Sequence, residues 1–148
     1  MIDLRAVPYE EALPLADAMS REMQVLYDDD EGASPASPSD FHAPGVFLLG
    51  SVDGADVACG GLKPIAEGVV EVKRMYVVPD RRGKGYSRAL LRGLVQHARD
   101  AGQREVWLET GTRQPEAVGL YESEGFTPIE PFGHWKDHPE TLCFALVL

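Results

Sequence analysis

At 148 residues and 44% hydrophobic content, the chain has the length of one ordinary domain and enough apolar material to bury a core. A formal net charge of −10 argues against a nucleic-acid partner, no apolar run approaches the roughly 20 residues that span a bilayer, and Asp3, Glu10 and Glu11 near the start do not fit a secretory leader. The expectation is one domain over residues 1–148, cytoplasmic, with neither a membrane nor a nucleic acid as partner.

In chain order, Ile2 to Ala6 reads as a short strand. Glu10 to Leu26 reads as an amphipathic helix with Leu13, Leu15, Ala16, Met19, Met23 and Leu26 on its apolar face. Asp28 to Pro44, with its acids, prolines and serines, reads as a loop or broken helix. Gly45 to Ser51 and Asp56 to Leu62 form a predicted hairpin turned at Asp53-Gly54. Val69 to Val78 is the next strand, with Glu71, Lys73, Met75 and Val77 on one face and Val72, Arg74 and Tyr76 on the other. Lys84 to Ala101 follows the helical period through Ser87, Leu90, Leu91, Leu94, Val95 and Ala98, and ends at Gly102. A strand over Glu105 to Glu109, a short helix over Pro115 to Glu124 and an apolar strand over Thr141 to Leu148 complete the pattern. Strands and helices alternate in the middle and hairpins sit at the ends, which predicts an α/β fold with a mixed, mostly antiparallel sheet and helices on both faces. Cys59 and Cys143 lie in apolar, strand-like contexts and read as buried free thiols. No C-x-x-C or H-E-x-x-H occurs and His134 with His138 is an incomplete ligand set, so no metal is expected.

Charge is unevenly divided. Residues 1–70 hold thirteen acids and three bases, residues 71–148 eleven of each, so the net negative charge lies in the first half. Against that background, Arg81 to Arg99 contains six basic residues (Arg81, Arg82, Lys84, Arg88, Arg92, Arg99) and no acid. Arg82-Gly83-Lys84-Gly85-Tyr86-Ser87 joins a strand to a helix. Its glycines let several backbone N–H groups turn toward one anion beside a helix N-terminus, so it reads as a phosphate cradle or, more plainly, as a tight turn before a solvated basic face. The spacing fits neither a P-loop nor a dinucleotide fingerprint.

What the loop does match is R-x-x-G-x-S, which resembles the [QR]-x-x-G-x-[GA] pyrophosphate motif of the GNAT N-acetyltransferase superfamily. Met75-Tyr76-Val77-Val78-Pro79 before it, Ala89-Leu90-Leu91 after it, and Ala117-x-x-Leu120-Tyr121-x-x-x-Gly125-Phe126 further on resemble the same family, over roughly Val69 to Phe126. Ser87 replaces the usual Gly or Ala, and Gln114 stands where many members have Asn.

The resemblance implies a GNAT acyl-CoA N-acyltransferase fold and an enzyme moving an acetyl group from acetyl-CoA, as cosubstrate, to a primary amine. The implied cofactor contacts are Met75, Tyr76 and Val77 on the strand, Arg82, Gly83, Lys84, Gly85, Tyr86, Ser87 and Arg88 in the loop, and Gln114 at the next helix start. Tyr121 matches the tyrosine that protonates the leaving thiolate, with aromatic packing as its other reading. Glu71, eleven residues before Arg82, is either a general base or a partner of Lys73. Asp28 to Glu31 reads as a solvated loop or a wall of the acceptor pocket, and His134, Trp135 and His138 as its opposite wall or a surface turn. The expected acceptor is a small-molecule amine, with a protein N-terminal or lysine acceptor and a non-catalytic acyl-CoA sensor as alternatives, and a homodimer as an option.

Overall fold

Seven strands form, β1 (Asp3–Ala6), β2 (Val46–Val52), β3 (Ala55–Ala66), β4 (Val69–Val77), β5 (Glu105–Gly111), β6 (Thr127–Ile129) and β7 (Thr141–Val147), with helices α1 (Leu13–Tyr27), α2 (Tyr86–Asp100) and α3 (Pro115–Ser123). They come from a computed structural model that describes residues 1–28 and 35–148. The strands join in one sheet of order β1-β2-β3-β4-β5-β7-β6. Every neighbouring pair is antiparallel except β4 and β5, whose parallel register runs from Val69↔Glu105 to Val72↔Leu108.

Each face has its own core. The apolar stripe of α2, Leu90, Leu91, Leu94, Val95 and Ala98, packs on Leu48, Leu62, Val70, Val72, Val106 and Leu108. On the other face Ala12 and Ala16 join Tyr9, Phe41, Phe47, Leu49, Cys59 and Tyr76. The rings of Tyr9, Phe41 and Phe47 meet at 4.8 to 5.0 Å between centroids, in tilted and edge-on geometries that aromatic quadrupoles favour. Cys59 and Cys143 are free and buried, as expected.

The structure corrects the predicted alternation along β4. Arg74 has φ +58°, and the register with β3 slips between Cys59 and Gly61, so a bulge inserts one residue. Parity therefore reverses at Arg74. Val70, Val72, Met75 and Val77 face α2, whereas Glu71 and Lys73 share the opposite face with Arg74 and Tyr76. Other boundaries also move. A 3-10 turn over Tyr9–Ala12 precedes α1, leaving Leu13 exposed. Helix α2 begins at Tyr86 rather than Lys84, because Gly85 holds φ +82° and cannot belong to a right-handed turn. Strand β6 has no counterpart in the sequence reading, since Pro128 suits only an edge strand, which is where it lies. Among the described residues no helix is long and apolar enough to cross a membrane.

Leu94 is fully buried between α2 and the sheet. Leu94→Ala should cost about 2–5 kcal/mol, read as a lower urea midpoint with an unchanged slope.

Candidate active site

Where β4 and β5 stop pairing, a site opens. Their last pair is Val72↔Leu108, yet β4 runs on to Val77 and β5 to Gly111, which stays paired with β7. Past Val72, the edge of β4 toward β5 therefore carries N–H and C=O groups with no strand partner. A cavity of about 140 Å³ occupies this parting. Met75, Leu108, Gly111, Gln114 and Tyr121 line it at the strand ends, and Glu71, Lys73 and Glu109 line its charged floor. Met19, Met23 and Tyr27 of α1, Arg74 of β4, and Trp135 and His138 also line it.

The cavity thus unites Glu71, Met75, Gln114 and Tyr121, four residues singled out in the sequence, with Trp135 and His138. Glu71 is only 7% exposed. Burial raises its pKa above the usual carboxylate range, and Lys73 and Lys63 pull it down less strongly. Lys73 is lowered for the same first reason, burial, which Glu71 opposes. Tyr121 is buried among Phe126 and Phe144, at centroid distances of 6.0 and 6.4 Å, and burial pushes its hydroxyl up to about 12. Its packing and its potential as a proton donor coexist. Gln114, the residue before α3, makes no side-chain cap; its amide donates instead to the Tyr27 hydroxyl at 3.1 Å. That hydroxyl lies so close to position 111 that only glycine fits there.

Glu109 was not singled out in the sequence. It lines the cavity, and its pKa is pushed up to about 7, first by burial and then by the charge of Glu71, against Lys73 and a hydrogen bond from the Trp135 backbone. Its Oε2 is buried without a hydrogen-bond partner. The signal was alternation. Val106 and Leu108 point to the α2 core, so Glu105, Trp107 and Glu109 fall on the face of Glu71, whose register partner is Trp107. The predicted strand ended at Glu109, which made the carboxylate look terminal; pairing with β7 carries the strand on to Gly111.

The glycine loop lies at the other end of β4 from this floor. Gly83 and Gly85 have φ of +77° and +82°, and a Cβ at either would meet nothing within 4 Å, so the backbone is open to an approaching group. Gly85 precedes α2 without any side-chain cap, which leaves the N–H groups of Tyr86, Ser87 and Arg88 without intrahelical acceptors. A pyrophosphate fits such donors. The side chains behave differently from the backbone. Arg82 donates to the Val77 carbonyl at 2.9 Å, pairs with Glu22 of α1 at 2.9 Å and sits over the Tyr76 ring at 5.3 Å. Arg88 and Arg92 both bind Glu124, at 2.6 and 2.7 Å. Three of the six basic residues are therefore tied to two acids remote in sequence, while Lys84 is exposed and has no ion pair among the described residues. Tyr86 packs against the α2 core and Tyr76 against the α1 core, so neither ring lies in the loop's open face. His134 flanks a neighbouring recess with Lys63, Trp107 and Phe132. Asp28 ends α1 in a left-handed conformation, and Asp29, Asp30 and Glu31 lie outside the described residues. Among the described residues no cluster could hold a metal.

The carboxyl of Glu109 keeps its proton up to about pH 7 when folded, against an ordinary value of 4.5. Between those values the folded state binds the extra proton, so stability falls as pH rises through that window. Glu109→Gln removes the ionisation and keeps the shape. Relative to the parent, this variant should gain on the order of 1 kcal/mol or more on going from pH 5 to pH 8 in urea melts, and a constant difference would show that Glu109 titrates normally.

Comparison with known proteins agrees with this geometry. The profile of the acetyltransferase (GNAT) family matches residues 12–126. A protein named IAA acetyltransferase from Azospirillum brasilense is 39% identical over 97 residues, 65% of this chain and 63% of that protein. The chain thus spans less than two thirds of that relative's length. Among solved structures, a GNAT family acetyltransferase from Elizabethkingia anophelis with acetyl-CoA bound superposes with TM-score 0.70 over 99% of this chain and 98% of that one, at 17% identity. The ribosomal-protein-S18-alanine N-acetyltransferase of Escherichia coli gives TM-score 0.73 over 99% and 94%, at 20% identity. At those identities the two structures speak for the fold alone, whereas the matched profile covers most of the chain. The chain belongs to the acetyltransferase (GNAT) family.

Proposed function

We propose that this chain, as one domain, transfers an acetyl group from acetyl-CoA to a primary amine of a small molecule. The observation that carries the reading is one cavity lined by a buried carboxylate, Glu71, a half-buried one, Glu109, and a neutral buried tyrosine, Tyr121, beside the open edge of β4. The Gly83–Gly85 turn and the first N–H groups of α2 would hold the pyrophosphate, with Lys84 adding an exposed charge. When bound, acetyl-CoA supplies an activated acyl group as its thioester.

Each residue then has a task that its environment suits. Free backbone N–H groups of β4 beyond Val72 are preset donors for charge developing on an acyl oxygen. An incoming ammonium must lose a proton before its nitrogen can attack, and a carboxylate with a pKa near 7 accepts it without being too weak a base. Glu71 and Glu109 titrate as an interacting pair, so the proton belongs to the pair. Tyr121 remains protonated throughout the working pH range and donates a hydrogen bond to the departing sulfur. A thiol's ordinary pKa of about 8.5 lies well below that of Tyr121, so the tyrosine keeps its proton and stabilises the developing thiolate through that hydrogen bond, and the released thiolate takes its proton from solvent. The loop and the charged residues of the cavity are joined along β4, which makes a single continuous strand the ruler between them.

Acetyl-CoA should raise the melting temperature, and free thiol should appear only when an amine is added. Gly85→Val forbids the left-handed backbone there and should weaken acetyl-CoA binding by about tenfold or more in calorimetry; unchanged affinity in a folded variant removes the loop from the cofactor site. Tyr121→Phe should lower kcat about 10²-fold with little change in acetyl-CoA affinity. Equal turnover by the variant would leave Tyr121 with packing alone.

A further inference from the structure

We infer that the acceptor is an arylalkylamine, a primary ammonium carried on a flat apolar body; this rests on the amine-acetylation reading of the same cavity. The charged lining, Glu71, Lys73, Arg74 and Glu109, comes from β4 and β5, and the remaining walls are rich in thioethers and aromatic rings, Met19, Met23 and Tyr27 from α1 and Trp135 and His138 from the segment before β7. The Arg74 guanidinium reaches Met19, so the charge nearest those walls is positive and repels a second cation. One further acid lines the cavity, Glu140, but Arg113 holds it at 2.7 Å and holds its pKa below the usual range. Among the described residues these walls thus present no spare carboxylate to a second cation.

Trp135 is built in rather than draped over the surface. Its ring meets His134 at 4.7 Å and His138 at 5.8 Å, both edge-on, and its carbonyl accepts hydrogen bonds from the Thr141 hydroxyl at 2.6 Å and the His138 backbone at 3.0 Å. The backbone N–H of the same residue supports the Glu109 carboxylate. One residue therefore fixes both the aromatic wall and the group that receives the ammonium, so the separation of the acceptor's ring from its nitrogen is specified. From α1, the Met19 and Met23 side chains that line the same cavity adjust to the outline of an apolar body and make favourable sulfur contacts with a ring. A peptide would bring amide groups against thioether and aromatic walls with few partners for them, and a polyamine would bring a second charge to the same walls.

The test is a set of initial rates of thiol release from acetyl-CoA with 2-phenylethylamine, ethylamine, spermidine and a short peptide with a free N-terminus. Burial of the phenyl ring should give 2-phenylethylamine a kcat/KM about thirtyfold or more above ethylamine, and above spermidine and the peptide. Trp135→Ala and, separately, Met23→Ala should each cut the phenylethylamine-to-ethylamine ratio by about fivefold or more, and Trp135→Phe should restore most of it. The ratio compares two substrates on one protein sample, so partial misfolding of a variant does not move it. Parity between ethylamine and 2-phenylethylamine, a preference for spermidine or the peptide, or a ratio unmoved in both alanine variants overturns the inference while leaving amine acetylation intact. Stabilisation by acetyl-CoA with turnover of none of the four would instead overturn amine acetylation, and this inference with it.

Discussion

Everything at the site depends on the parting of β4 from β5 after Val72↔Leu108. Two neighbouring parallel strands ordinarily continue their ladder, because each pair of backbone groups left without a partner in a buried place costs about 1–3 kcal/mol per group. Here the bulge at Arg74 turns β4 out of register with β3, and β5 commits its last residues to β7. The groups so released are the ones a ligand can use. The bulge also costs something locally, since a non-glycine residue at φ +58° occupies a sparsely populated region. Arg74 is held there by its surroundings: its guanidinium reaches Met19 of α1, and its carbonyl accepts from the Cys59 thiol at 3.3 Å.

The same bulge decides where the charges go. Without the parity change, the alternation set by Val70 and Val72 would turn Arg74 and Tyr76 toward α2, and a guanidinium would enter the larger apolar core. With it, Arg74 stays on the face of Glu71 and Lys73, which line the cavity with Glu109. Burial still dominates there, raising both carboxylates and lowering Lys73, as expected of groups whose desolvation outweighs their mutual attraction. An opposite outcome, in which the lysine held both acids ionised at low pH, would have made the floor a structural ion cluster with no proton-accepting capacity near neutrality.

Much of this was legible in the sequence, for reasons that differ from residue to residue. The five buried positions of α2 follow the helical period, and burial on one face is all that such a helix needs to be recognised. Tyr121, Gln114 and the glycine loop were visible through ordered motifs that fix local backbone. The contacts that were not legible are non-local. Glu124 lies more than thirty positions from Arg88 and Arg92, so the stripe looked unopposed when three of its six residues are paired. Nothing about Lys73-Arg74-Met75 marks a left-handed residue, because the cause lies in the register with β3. Glu109 needed two facts that a single sequence does not carry, that β5 neighbours β4 and that its pairing with β7 extends past the glutamate.

Helix α1 is the element that touches both ends of the site, and the strengths of its attachments are unequal. Its link to the loop, Glu22 with Arg82, is a pair with both side chains more than a third exposed, worth at most about 1 kcal/mol in water. Ala16 is its one fully buried residue, so the helix body packs with a small face and little apolar area. Its last turn is held more firmly. Tyr27 accepts hydrogen bonds from the Gln114 amide and the Arg113 backbone, lies under the Arg113 guanidinium at 5.7 Å, and fills the space left by Gly111; the Arg113 side chain in turn donates to the Leu26 carbonyl and pairs with Glu140. The C-terminal end of α1 is thus stitched to the start of α3 and to the segment before β7, the two elements that carry Tyr121 and Trp135. Met23 and Tyr27, one turn apart, inherit that rigidity, whereas the Glu22–Arg82 contact beside Met23 is made by exposed side chains alone and can yield. Under the proposed function, a helix fixed through its last turn and joined to the loop by one exposed ion pair would let the loop adjust to a pyrophosphate without moving the backbone that carries Met23 and Tyr27.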